Sequence, residues 1–228
     1  MNTIEIAAAS VIGREHRRVD RPCQDAFAVR RGERGVVAVV CDGCGSGAHS
    51  ELGARLGANL VARVLGERLE AGADLTDVAV WRAACDEVVA RLAALVPDLT
   101  ADGDPRAAIG AHLLFTVLAV ALLPEGAAVL AIGDGVVIVD GDVTVLEAED
   151  NAPAYLGYEL VGPAIALDLR WIPGAQTVVL ASDGALPIVA DLADLPERVF
   201  ANRDALRRRL KLAQTIDDAT AVVVRRRA

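Results

Sequence analysis

The sequence has few aromatic residues and no apolar run long enough to cross a membrane. Trp, Tyr and Phe make up 3% of the 228 residues, whereas 54% are hydrophobic, so we expect an aliphatic core. The longest apolar run, 113–123, is much shorter than the about 20 residues that a transmembrane helix needs. The segment 1–5 lacks the basic start of a secretory signal, and no long apolar stretch follows it. We therefore expect a cytoplasmic protein with no membrane partner.

Cysteine is also scarce, with only Cys23, Cys41, Cys44 and Cys85. Cys41 and Cys44 have the spacing of half a zinc or redox site. A structural zinc site needs a second such pair or a pair of histidines, and the sequence offers neither. We expect the four cysteines to be reduced, small and buried.

The chain lacks a basic excess, since 23 Lys and Arg face 32 Asp and Glu for a net charge of −9. This balance argues against a nucleic-acid partner, which needs a concentrated basic surface. The densest basic segment, 203–211, spaces its charges around Leu206 and Leu210 as a helix does. We interpret it as the solvated face of a late helix. A docking patch for an acidic phosphoprotein is the alternative.

Hydrophobic periodicity predicts many strands and few helices. The helical patterns cover 50–69, 77–96 and 202–213, and another helix starts near Pro187. Because the strands are not separated by regular helices, a doubly wound parallel sheet is disfavoured, and tight Gly and Asp-Gly turns indicate antiparallel pairing. We predict one α+β domain over 1–228. The strand-like runs are 3–9, 26–30, 36–41, 113–123, 127–132, 136–140, 143–146, 164–169, 177–181 and 220–224.

Acidic residues recur at the tips of these strands. Asp42 follows the run 36–41, Asp183 follows 177–181, and Asp217 precedes 220–224. A single Asp-Gly after a strand is most often a plain turn. Several such carboxylates gathered by the fold would instead form an all-oxygen site, which suits Mg²⁺ or Mn²⁺ rather than zinc or copper.

Five short motifs, in this order, resemble the type 2C metal-dependent Ser/Thr protein phosphatases, in particular a bacterial branch of that family. The resemblance covers about 10–224 and implies two antiparallel β-sheets sandwiched between helices, a four-layer αββα fold. The motifs are Gly13-Arg14-Glu15-His16 with Pro22-Cys23-Gln24-Asp25-Ala26, Asp42-Gly43-Cys44-Gly45, Ile132-Gly133-Asp134-Gly135, Ser182-Asp183-Gly184 and Asp217-Asp218-Ala219-Thr220.

The resemblance also implies two divalent cations, Mn²⁺ or Mg²⁺, in one catalytic site. Asp42 would bridge them, and the carbonyl of Gly43 would assist one of them. Asp183 and Asp217 would hold one ion, and Asp25 would bind the other directly or through water. Such ions neutralise a phosphate and lower the pKa of a shared water, so that a bridging hydroxide attacks phosphorus.

Other roles are less fixed by the motifs. Some members of the family carry a His after Asp-Gly, where this chain has Cys44, so His16 is our candidate for a catalytic histidine. Arg21 and Arg18 are candidates for binding the phosphate, although either could be an exposed charge. Pro187 stands where some members have an Asp that helps Asp134 to hold a third metal, so a third ion is not expected to bind strongly.

Three functions remain open from the sequence. The first is an active phosphatase acting on phosphoserine and phosphothreonine, with a phosphoprotein substrate, an opposing Ser/Thr kinase and a monomeric state. The second is a weak or inactive module of the same fold that binds a phosphoprotein or a partner kinase. The third is an unrelated calcium-binding turn cluster, which the lack of a contiguous Asp-x-Asp-x-Asp-Gly loop disfavours.

Overall fold

In the computed structural model, which describes residues 4–100, 103–148 and 152–227, ten strands form two antiparallel five-stranded sheets. The first sheet has the order β1-β10-β9-β6-β7 and the second the order β2-β3-β4-β5-β8. The strands are β1 Ile4–Val11, β2 Ala26–Arg31, β3 Val36–Cys41, β4 Val117–Leu123, β5 Gly126–Ile132, β6 Gly135–Val139, β7 Asp142–Leu146, β8 Asp168–Pro173, β9 Thr177–Ala181 and β10 Ala219–Arg226.

Helices cover the outer faces of both sheets. Short 3₁₀ helices occupy Leu156–Leu160 and Asp183–Ile188. The α-helices in the described part of the chain are α1 Arg14–Arg18, α2 Ser50–Glu70, α3 Val78–Ala93, α4 Val96–Leu99, α5 Pro105–His112, α6 Val189–Ala193, α7 Arg198–Ala201 and α8 Arg203–Ala213.

Three apolar clusters show the layering. One lies between α2–α3 and the second sheet and contains the fully buried Trp81 and Phe115. Another places Leu206 and Leu210 of α8 against the first sheet. The third fills the space between the two sheets with Val, Ala, Leu and Ile side chains. The four-layer αββα fold predicted from the motifs is therefore confirmed.

Several element predictions need correction. The run 113–123 becomes a strand only at Val117, because 113–116 packs against the loop that follows β3. The strand predicted at 164–169 lies at Asp168–Pro173, where alternating side chains pair with β5. Helix α5 was not predicted, although Asp104 caps its start by accepting a hydrogen bond from the Arg106 N–H.

Antiparallel pairing determines which chain ends meet. In the second sheet, Ala26 pairs with Cys41 at one end of the β2–β3 ladder. In the first sheet, Ala221 pairs with Ala181, so the start of β10 lies beside the end of β9. The residues that follow β3 and β9, and those that precede β2 and β10, consequently share one edge of the sandwich.

The described residues bear on two further predictions. No helix within the described ranges combines the length and apolarity that a bilayer span requires. All four cysteines are free thiols, with Cys41 and Cys85 buried as expected. Cys23 and Cys44 are only half-buried, so the expectation of buried cysteines is wrong for these two.

Candidate metal centre

An open cavity of about 130 Å³ lies at the edge where these chain ends meet. Asp42, Asp134, Asp183 and Asp217, each from a different chain segment, line it. No Arg or Lys lies on the described part of its wall. With Asp218, which also lines it, five carboxylates thus meet at one small space whose described wall carries no Arg or Lys.

The loop that carries Asp42 is held rigidly from both sides. The backbone N–H of Asp42 donates to Thr116 Oγ1 (3.0 Å), and the N–H of Thr116 donates back to the Asp42 carbonyl (2.8 Å). The N–H of Gly43 donates to the Gln24 carbonyl (3.2 Å). A carboxylate on a backbone held in this way has little freedom to move away from its neighbours, which suits a site that needs fixed geometry.

Gly43 has a packing reason to be glycine. A Cβ at this position would lie 2.8 Å from the Gln24 and Ser50 carbonyl oxygens, closer than real Cβ contacts come. Substitution of Gly43 would therefore displace the loop that carries Asp42, whether or not its own carbonyl binds an ion.

Asp25 lies behind Asp42 and outside the described cavity wall. It is 4% exposed, and Ser182 Oγ donates to its Oδ2 (2.6 Å). Its Oδ1 is buried and has no hydrogen-bond partner among the described residues. Burial, which the hydrogen bond from Ser182 only partly offsets, raises the pKa of Asp25 to about 7.

Asp42 and Asp134 are also poorly stabilised as anions. Burial raises the pKa of Asp42 well above its ordinary value, and the charges of Asp25 and Asp183 raise it further. Burial together with the charge of Asp183 raises the pKa of Asp134. Mutual repulsion of this kind is relieved by a bound cation, and an all-oxygen donor set with an orphaned buried oxygen fits Mg²⁺ or Mn²⁺.

His16, at the third position of α1, also lines the cavity. Its Nδ1 lies 2.8 Å from Oδ2 of the buried Asp218. Asp218 also accepts the backbone N–H of Gly13 (2.6 Å) and of Gln24 (2.6 Å). The carboxylate therefore ties α1, the segment before β2 and the start of β10 together at the site.

The two predicted phosphate-binding arginines lie outside the described wall. The Arg21 guanidinium donates to the carbonyls of Gly45 (3.3 Å) and Gly47 (2.7 Å), in the loop after Asp42. Arg18 has a side chain 71% exposed to solvent and pairs with Glu15 (2.8 Å). Arg21 thus lies next to the cavity, because Gly45 lines the cavity. Arg18 instead forms an ion pair at the surface.

Sequence reasoning did not single out Asp218, Thr116 or Tyr155 as site residues. Tyr155 also lines the cavity and belongs to the loop 149–163, of which 149–151 lie outside the described residues. Thr116 was detectable only as a polar residue inside the apolar run 113–123, and Asp218 only as the neighbour of Asp217. Nothing in either local pattern distinguishes a buried partner from a solvated turn.

The sequence comparison identifies the family to which this site belongs. A family profile described as Protein phosphatase 2C matches residues 12–219. The chain therefore belongs to the protein phosphatase 2C family, and the prediction from the motifs is confirmed. A comparison with proteins of curated function gives no significant match.

Solved structures with the same fold include bacterial Ser/Thr phosphatases. Stp1 from Staphylococcus aureus is 13% identical with a TM-score of 0.69, over 99% of this chain and 96% of that chain. PstP/Ppp from Mycobacterium tuberculosis is 22% identical with a TM-score of 0.64, over 97% and 98%. The catalytic domain of PstP, solved in complex with 2 manganese ions, is 21% identical with a TM-score of 0.65, over 100% of both chains. At these identities the likeness concerns the fold.

Proposed function

We propose that the protein is an active, metal-dependent phosphatase that hydrolyses phosphoserine and phosphothreonine in a phosphoprotein, opposite a Ser/Thr kinase. The observation that carries this proposal is the meeting of Asp42, Asp134, Asp183 and Asp217 at one cavity with no Arg or Lys on its described wall. We also propose that the chain acts as one catalytic domain and as a monomer. Membership of the protein phosphatase 2C family supports the reaction class.

Two divalent cations, Mn²⁺ or Mg²⁺, would be held by Asp42, Gly43, Asp183 and Asp217, with Asp25 acting directly or through water. Once bound, they would supply charge neutralisation for the phosphate and a hydroxide near neutral pH. The PstP catalytic domain, which shares the fold, binds 2 manganese ions. The cluster of carboxyl groups with raised pKa values and the orphaned Oδ1 of Asp25 support the same assignment here.

The protein's own residues would orient the substrate and shape the site. Thr116 fixes the Asp42 backbone, and Asp218 fixes the His16 ring at the cavity wall. His16 remains our catalytic histidine, since it lines the cavity where Cys44 replaces the histidine of other members. Of the two arginines, we propose that Arg21 binds the phosphate. Its guanidinium donates to the carbonyls of the loop that follows Asp42, and this loop borders the cavity.

A binding module with little or no activity is the second candidate. The altered motif positions favour it, since Cys44 stands where some members of the family have a histidine. The exposed Pro187, which replaces an expected Asp, points the same way. Such a module would bind a phosphoprotein or a kinase without metal-dependent turnover.

Hydrolysis of p-nitrophenyl phosphate with Mn²⁺, with Mg²⁺ and with EDTA separates the two candidates. We expect turnover that requires metal and falls by at least about 10³-fold in Asp42→Ala, as the loss of a central electrostatic group does. Glu15→Ala, an exposed carboxylate next to His16, is the matched control and should retain activity. Absence of turnover from folded, metal-supplied wild type would favour the binding module.

A further inference from the structure

The basic helix α8 has no part in the catalytic proposal, although it ends close to the metal centre. Leu206 and Leu210 are buried against the first sheet, so the cations of α8 project outward. On α8 and α1 together, Arg18 and Arg209 have acidic partners, and the other exposed cations form no ion pair with the described residues. We call those other cations the basic strip, which consists of Arg14, Arg17, Arg207, Arg208 and Lys211.

The basic strip runs from the edge of the cavity outward along α8. The N–H of Arg14 donates to the carbonyl of Thr215 (3.1 Å), two residues after the end of α8, so α1 begins beside that end. On one side of this junction His16 lines the cavity, and on the other side Asp217 does. A substrate with its phosphate in the cavity would therefore have a neighbouring chain segment close to the strip.

The positive charge of α8 lacks compensation within the helix. Arg207 and Lys211 are four residues apart, and like charges at this spacing destabilise a helix. Both line an open cavity of about 160 Å³ together with Arg208 and with Asp204, the one acidic residue of α8. Helices α2 and α3 instead place an acidic partner four residues from an arginine, in the pairs Arg63–Glu67, Arg82–Asp86 and Arg91–Glu87.

Two large apolar side chains are exposed at the same junction. Leu212 is 81% exposed and Ile216 is 61% exposed, the highest fractions among the large apolar side chains of the described residues. Leu212 belongs to the last turn of α8, and Ile216 directly precedes Asp217. A polypeptide with acidic and apolar side chains would complement both features, whereas an inorganic anion would leave the apolar surface uncovered.

We propose that the basic strip docks an acidic segment, containing an apolar residue, next to the phosphorylated residue of the substrate. The inference rests on the proposed phosphatase function and deepens it by naming the class of phosphoprotein. Because the net charge of −9 repels acidic partners at a distance, their recognition needs a local basic surface. The 11 residues of α8 span about 16 Å, which matches about five residues of extended chain.

Steady-state hydrolysis of two phosphothreonine peptides with Mn²⁺ tests the inference. One peptide carries Glu and Leu on both sides of the phosphothreonine, and the other has Gln in place of every Glu. We expect the KM of the wild type to be about 3- to 10-fold lower for the Glu peptide, as several exposed ion pairs together would give. Salt at about 1 M, where the Debye length is about 3 Å, should remove the difference.

Paired double variants locate the effect. Arg207→Glu with Lys211→Glu should abolish the preference for the Glu peptide. Arg31→Glu with Arg34→Glu changes the charge equally at the end of the β2–β3 hairpin opposite to the cavity, and should keep the preference. Turnover of p-nitrophenyl phosphate, which has no flanking segment, should be unchanged in both folded variants. Leu212→Ser should raise the KM for both peptides, since both carry Leu.

Fluorescence anisotropy of the unphosphorylated Glu peptide in EDTA measures docking without catalysis. We expect binding by the wild type that is weaker for the Gln peptide and for Arg207→Glu with Lys211→Glu. Peptide binding without turnover of any phosphopeptide would support the docking site and sink the phosphatase proposal.

Two results would overturn the inference and leave the phosphatase proposal intact. The first is turnover with equal KM values for the two peptides and no selective binding of the Glu peptide. The second is cosedimentation with phosphatidylserine vesicles that Arg207→Glu with Lys211→Glu abolishes, again without discrimination between the peptides. That second result would assign the basic strip to an anionic membrane surface instead.

Discussion

Between the two sheets, β3, β4, β9 and β10 contribute only aliphatic side chains, whereas at the cavity edge the same chain segments end in polar ones. Val40 and Leu180 are 1% and 0% exposed in the inter-sheet cluster. Two or three residues further along the chain, Asp42 and Asp183 line the cavity. The two environments differ in chemistry although the strands are continuous.

The separation extends to buried polar groups. Of the eight buried polar or charged side chains in the described part of the chain, seven lie at the cavity edge or bond to residues there, and the carbonyl of the eighth, Thr215, accepts the N–H of Arg14 at the start of α1. Burial of apolar area stabilises the fold, whereas buried carboxylates without a cation oppose it. We conclude that stability comes mainly from the apolar clusters between the layers and that the cavity edge is maintained for its chemistry. These eight side chains are Gln24, Asp25, Ser50, Thr116, Ser182, Thr215, Asp218 and Thr220.

The sharpest test of this division compares two positions at the end of β9. Leu180→Ala should lower the free energy of unfolding by about 2–5 kcal/mol, because it removes a fully buried side chain and leaves a cavity between the sheets. Denaturant unfolding in EDTA measures this change. The activity per folded molecule should stay near that of the wild type.

Asp183→Ala is the matched variant, three residues further along. We expect it to abolish metal-dependent turnover while it changes the stability of the metal-free protein by less than about 1 kcal/mol, since it removes a carboxylate that repels its neighbours. A large loss of stability in Asp183→Ala, or a loss of specific activity in Leu180→Ala, would contradict the division between the two regions.

Asp25 should make the metal-free protein less stable as the pH rises. Its pKa is about 7 in the folded chain against an ordinary value of 3.8, so the folded state binds more protons between these pH values. Its contribution to stability is then fully present below pH 3.8 and is lost as the pH rises through 7. Each unit of raised pKa corresponds to about 1.4 kcal/mol.

Asp25→Asn tests this dependence in EDTA. The variant should gain stability over the wild type progressively from about pH 4 to about pH 7, with a constant difference above that range. Thermal melts of both proteins across this range provide the measurement, and added Mn²⁺ should narrow the gap by stabilising the wild type. An Asp25→Asn variant that is less stable than the wild type at pH 8 in EDTA would contradict the repulsion argument.

The sequence predicted the parts of the molecule that depend on local pattern. Asp42 and Asp183 could be found because an apolar, β-branched run marks the strand end before each. Asp218 could not, because its burial depends on three donors that lie 194 to 205 positions earlier in the chain. The position of β8 was also predicted wrongly, at 164–169 instead of Asp168–Pro173. The alternation of exposed Asp168 and half-buried Trp171 follows from pairing with β5, which the local sequence does not reveal.

The direction of a long side chain is harder still to predict, and Arg21 and Arg18 form the last comparison. Arg21→Ala should cost about 1 kcal/mol of stability and raise KM for p-nitrophenyl phosphate, because it releases the Gly45 and Gly47 carbonyls beside the cavity. Arg18→Ala, which breaks an exposed pair with Glu15, should change stability by less than about 0.5 kcal/mol and leave KM unchanged. Steady-state kinetics and denaturant unfolding of both variants would decide. Equal effects of the two substitutions on KM would remove the reason to prefer Arg21 as the phosphate ligand.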